Sequence, residues 1–131
     1  MGFLSLLGYI GKTFLLSLFN GVRGREAALN KLREQWNFIP KGTPIVFDQY
    51  IALHQILAGG TSPSWSKKPP PYYLIKPGQG AMLMQIYWPV VREDKELESP
   101  VRFVLWCNQG HYEYIFLLSE YNGTLPFHML A

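Results

Sequence analysis

An α+β domain is the fold class this sequence predicts: three N-terminal helices packed on a curved antiparallel meander sheet of four or five strands. Three observations lead there. Apolar residues recur at helical spacing through positions 1–60, positions 72–131 alternate with period two between Gly, Pro and Asn-Gly turns, and a Pro- and Ser-rich stretch over 61–71 separates the two. At 131 residues the chain fits a single domain over 1–131. Its 48% hydrophobic and 16% charged residues exclude a disordered chain.

The opening GFLSLLGYIGKTFLLSLFNG reads as an apolar helix over 1–20. Phe3, Leu6, Leu7, Ile10, Phe14 and Leu18 form one stripe, and Leu4, Leu15, Leu16 and Phe19 extend apolar surface nearly all round. Lys12 is the sole formal side-chain charge before Arg23. Phe3, Leu7, Ile10, Lys12, Phe14 and Leu18 are therefore read as contacts with a membrane surface or a larger assembly. A full span needs about 20 apolar residues and places Lys12 near mid-bilayer, at roughly 2.5 to 3.5 kcal/mol. An interfacial helix with Lys12 snorkelling to water is favoured over it. A secretory signal is not expected, because no positive charge precedes the apolar run and no small-residue cleavage site comes after it.

REAALNKLREQWNF predicts the second helix, with Ala28, Leu29, Leu32 and Trp36 as its apolar stripe and Pro40 helping to end it. TPIVFDQYIALHQILAGG predicts the third, with Thr43 as N-cap, Pro44 in the first turn and Gly59 as terminator, although its β-branched start also suits a short strand. His54 then sits among apolar neighbours as a hydrogen-bonded structural histidine. Asp48, six residues away, does not share a face with it.

Pro69, Pro70 and Pro71 stiffen the connection to the strands. YYLIK, AMLMQIYWPVV, PVRFVLWC, HYEYIFLLSEY and TLPFHML are the candidate strands. PGQG turns the first into the second, and Asn122-Gly123 is the strongest hairpin signal, since a type I′ turn needs positive φ at both central residues. The segment Arg92–Ser99, REDKELES, is expected to be a solvated loop.

The stretch WCNQGHYE carries the one candidate for catalysis. If Asn108, Gln109 and Gly110 form a three-residue loop, Cys107 and His111 become cross-strand neighbours, with Glu113 on the same face. A thiolate, a base and an orienting carboxylate would then share one place, as in cysteine hydrolases. Nothing marks an oxyanion hole, and lone cysteines are often small buried hydrophobes, so the chain is read as leaning away from catalysis. In the same register Arg102, Trp106, Tyr112 and Tyr114 share the opposite face, with Trp88 or Tyr87 beside them, an aromatic surface suited to a protein contact.

Nine basic residues against three acids give residues 1–91 a balance of +6, while the remainder carries −3. The cations are scattered and joined to no stacking motif, so nucleic acid is disfavoured. Cys107 is the single cysteine, which excludes a disulfide scaffold within one chain and points to an intracellular place. One cysteine and three dispersed histidines give no zinc-type spacing, and neither metal nor cofactor is expected. The resulting expectation is a non-catalytic interaction module, an accessory subunit or adaptor of a membrane-associated assembly. The alternatives are a small-ligand or Cys-dependent hydrolytic domain with a pocket between helices and sheet, and a small inhibitor or immunity-type protein. Oligomeric state is open.

Overall fold

The computed structural model describes residues 21–56 and 72–130; the apolar opening, positions 57–60 and the Pro/Ser stretch lie outside them. Among the described residues there is one α-helix, α1 (Val22–Trp36), and seven strands: β1 (Thr43–Phe47), β2 (Ile51–Gln55), β3 (Tyr72–Ile75), β4 (Gly80–Tyr87), β5 (Val101–Cys107), β6 (Gly110–Phe116) and β7 (Phe127–Met129). They form a curled antiparallel sheet in the order β3-β2-β6-β5-β4-β1-β7.

The expected three helices on a four- or five-stranded meander are thus corrected to a mostly β architecture. The error lies in the predicted third helix, which is β1 and β2 separated by a bend at Asp48 to Tyr50. Its burial has period two: Ile45, Phe47 and Leu53 are inside, while Pro44 and Ala52 are exposed. Thr43, Ile45, Val46 and Phe47 favour a pleated surface, and this outweighs the helix-start signal of Thr43-Pro44. Pro44 is tolerated next to two strands because it stands second in β1 and its carbonyl accepts the Leu130 N–H at 3.2 Å. Asn122-Gly123 is a second departure. Gly123 has φ +97° and the Asn122 side chain accepts the Thr124 N–H, but the turn joins no hairpin, because β7 pairs with β1.

β1 through β4 form one bent ribbon. Thr43 pairs with Leu83 and Val46 with Gly80; beyond the bend Ile51 pairs with Ile75 and His54 with Tyr72, so every partner pair in both halves sums to 126. The second side of the bend is Lys76–Gln79, where Gly78 at φ +84° follows Pro77 and the Gln79 N–H returns to the Lys76 carbonyl, as a type II turn requires. One half of this ribbon flanks β6 and the other flanks β5.

The β5–β6 hairpin closes on two residues, not three. Asn108 and Gln109 have φ of 48° and 58°, the paired positive values of a type I′ turn. This sets the register: Trp106 stands opposite His111, and their rings are 4.9 Å apart. A non-glycine residue in the left-handed region loses roughly 1–2 kcal/mol. Gln109→Gly is therefore expected to raise stability by about 0.5–1 kcal/mol in urea unfolding. A loss of stability on that change would show that the Gln109 side chain, rather than its backbone, governs the turn.

The chain divides into two compact units. Among the described residues the first comprises 21–38 with Trp88–Val101 and Phe116–Thr124. Its helix buries Arg25, Ala28, Leu29, Leu32 and Trp36 and packs against the 3₁₀ turn Leu118–Glu120. The Arg25 Nε lies 3.3 Å from Glu98 Oε1, with both side chains 1% exposed. A second Arg25 nitrogen donates to the Arg92 carbonyl, and the Arg92 N–H donates to the same Glu98 oxygen at 3.2 Å. The charged loop is thereby pinned at Glu98, where solvation was expected. The second unit, with described residues 39–56, 72–87, 102–115 and 125–130, holds most of the sheet. One face is its core: Ile45, Phe47, Leu53, Ile75, Leu83, Phe103 and Leu105 are buried, with Phe127 edge-on to Phe47, Phe103 and Tyr114 at 5.2, 5.2 and 5.7 Å.

Candidate interaction surface

The seven strands carry only two formal charges, Arg102 and Glu113, and these meet. Residues opposite one another in antiparallel strands share a face, so Glu113 lies with its β2 partner His54, and Arg102 with its β4 partner Tyr87, on the face away from the core. Arg102 reaches diagonally to Glu113, with Nη2 2.8 Å and Nε 2.9 Å from Oε2. Glu113 is fully buried and the Arg102 side chain 19% exposed. The guanidinium carbon also lies 4.8 Å from the Tyr87 ring centroid, within cation–π range.

A β-bulge in β4 makes that stacking possible. Leu83 pairs with Leu105, but the next pair is Gln85 with Val104, leaving Met84 over. The inserted residue reverses which parity faces the core. Ala81 and Leu83 are core residues before the bulge; after it Ile86 pairs with buried Phe103, and Gln85 and Tyr87 turn to the second face. There the Tyr87 hydroxyl donates to Gln85 at 3.2 Å.

Around the ion pair the second face exposes large apolar side chains: Tyr72 by 68% and Leu74 by 50% on β3, Met82 by 40% and Tyr87 by 43% on β4, and Trp106 by 36% on β5. His54 sits between Tyr72 and Glu113, and its Nδ1 is buried without a hydrogen-bond partner among the described residues. His54 therefore belongs to a strand rather than to a helix.

The sequence-selected residues divide between the faces. Trp106 and Arg102 lie on the second face. Tyr112 and Tyr114 lie on the core side, where Tyr112 is 7% exposed and packs 5.7 Å from Tyr73, while Trp88 belongs to the first unit, with the Arg33 guanidinium 5.9 Å from its ring. The two-residue turn is the reason, since changing the loop by one residue moves all of β6 to the opposite face. It separates the thiol cluster as well: Cys107 is buried on the core side, whereas His111 and Glu113 are on the second face. Tyr72, Leu74 and Met82 were not selected from the sequence. The alternation of Tyr72 and Leu74 within YYLI is the signal for them; the bulge has none.

Burial pushes the Cys107 thiol from the ordinary 9.0 up to about 11. At neutral pH it is protonated, and its reaction with iodoacetamide is expected to be slower than that of a free cysteine. Between pH 9 and 11 the unfolded chain releases the proton before the folded one does, so stability contributed by the thiol is present below pH 9 and lost as pH rises through 11. Cys107→Ala is expected to remove that alkaline slope in a pH series of urea melts; an unchanged slope assigns it to another group. His128 pairs with Asp48 at 2.8 Å, with side chains 58% and 51% exposed, a surface contact of little energetic weight. No helix among the described residues is long and apolar enough to cross a membrane.

The chain matches no protein-family model, no curated protein and no solved structure at a significant level.

Proposed function

We propose that this chain is a non-catalytic interaction module, an accessory subunit or adaptor, whose second sheet face docks a protein partner. The observation that carries the reading is the group of five exposed apolar side chains, Tyr72, Leu74, Met82, Tyr87 and Trp106, around an ion pair that neutralises itself. Exposed apolar side chains gathered on one sheet face mark contact sites, and tryptophan and tyrosine are the side chains that concentrate binding energy there. Charge complementarity defines the partner. A phosphate or an acidic patch would find no uncommitted formal charge on these strands, and a charge docked there would be desolvated without compensation. An uncharged, apolar protein surface fits. The apolar residues Phe3, Leu7, Ile10, Phe14 and Leu18, with Lys12, supply a second contact, with a membrane surface or a larger assembly.

Site-specific photo-crosslinking in the cell of origin tests both contacts. A benzophenone side chain at Tyr87 is expected to give one protein adduct, absent when the probe stands at exposed Glu34, and Trp106→Ala is expected to reduce it about tenfold or more. A probe at Phe14 distinguishes lipid from protein around the opening segment. Equal labelling from residues 87 and 34, or an adduct indifferent to Trp106→Ala, rejects the surface.

A further inference from the structure

The two ends of the sheet differ. β7 is three residues long, follows Pro126 and carries His128 paired to Asp48. At the other end, no described strand pairs with the second edge of β3, and its four residues, Tyr72–Ile75, include no proline, charge or bulge, the devices by which exposed edges are kept from pairing. Tyr72 and Leu74 stand exposed along it.

We propose that β3 pairs antiparallel with β3 of a second copy, joining two sheets across a twofold axis. Opposite residues must share a face, so the axis has to pass through a residue rather than between two. With Leu74 on the axis, Leu74 meets its own equivalent, Tyr73 stands opposite Ile75, and Tyr72 stands opposite Lys76 of the second copy. The edge is then complementary to itself in charge as well as in hydrogen bonding. Lys76, the cation immediately after β3, meets an aromatic ring at each end, and no like charges face each other. The contact shares Tyr72 and Leu74 with the docking face proposed above and goes beyond it in using the backbone edge of β3 and a second copy of this chain.

Sedimentation velocity of the full chain tests it. The mass is expected to rise from 15.1 kDa toward twice that value as concentration reaches hundreds of micromolar. Leu74→Lys and Leu74→Glu each place like charges at the axis and are expected to be monomers with unchanged circular dichroism. Mixed in equal amounts they are expected to restore the dimer, since a lysine then faces a glutamate. A wild-type chain that stays monomeric throughout, or a dimer that Leu74→Lys leaves intact, overturns the proposal. Folded single variants that fail to associate when mixed overturn the axis through Leu74.

Discussion

Replacing Glu98 with alanine is expected to lower the free energy of unfolding by about 3–5 kcal/mol, because it leaves a buried guanidinium without its carboxylate. Arg25 occupies the apolar stripe of α1, between Gly24 and Ala28, with the residue 1% exposed. The helix tolerates it there because Glu98 and the Arg92 carbonyl receive its donors. The same change frees the Arg92 N–H from its acceptor, so the loop from Arg92 to Ser99 loses its attachment together with the charge pair. Arg25→Met with Glu98→Leu removes both charges and is expected to recover most of the loss. Glu93→Ala, in the exposed part of the loop, is the control. Urea unfolding of the four proteins decides the matter: a Glu98→Ala chain as stable as the control would show that the pair does not hold α1 to the loop.

Arg102→Ala is expected to have a comparable effect, about 3–5 kcal/mol, and the asymmetry of its pair makes it diagnostic. Glu113 is fully buried while Arg102 is 19% exposed. Loss of the guanidinium removes the opposite charge from a carboxylate held away from water; loss of the carboxylate lets the guanidinium turn toward it. Glu113→Gln is accordingly expected to be the milder single change, and Arg102→Ala with Glu113→Gln to be more stable than Arg102→Ala alone by about 1–3 kcal/mol. A double-mutant cycle reads this directly. A double variant whose loss equals the sum of the two single losses would mean that the two side chains are not energetically coupled.

The residues of the second helix were legible because one physical term dominates there. Ala28, Leu29, Leu32 and Trp36 fall on a 3.6-residue stripe, and the structure buries all four. The strands after Tyr72 were legible for the same reason at period two. TPIVFDQYIALHQ was not, since Thr-Pro is a good helix start but does not decide the conformation of the residues after it. The choice between helix and strand rests on partners distant in the chain, Gly80 and Leu83 for β1 and Glu113 for β2. The surface was half legible. Arg102 and Trp106 follow from alternation within β5, but the side of the sheet taken by Tyr112 and Tyr114 depends on whether Gly110 belongs to the turn, and Asn-Gln is a weak type I′ signal. The bulge at Met84 leaves no mark in an apolar run such as AMLMQIY, so the stacking of Tyr87 on Arg102 could be seen only in three dimensions.

The bent ribbon has a kinetic consequence. Its β2–β3 half is a hairpin joined to β6 through the pairs His54–Glu113 and Gln55–Tyr112 and the Ile56 N–H to the His111 carbonyl. Detaching this arm breaks that short seam and withdraws Leu53 and Ile75 from the core, while its internal pairing and the β1–β4 half stay intact, with the bends at 48–50 and 76–79 as the pivot. The arm is thus a separate opening unit within the sheet, and slow hydrogen exchange should reach deepest into β4 and β5 and least into the seam.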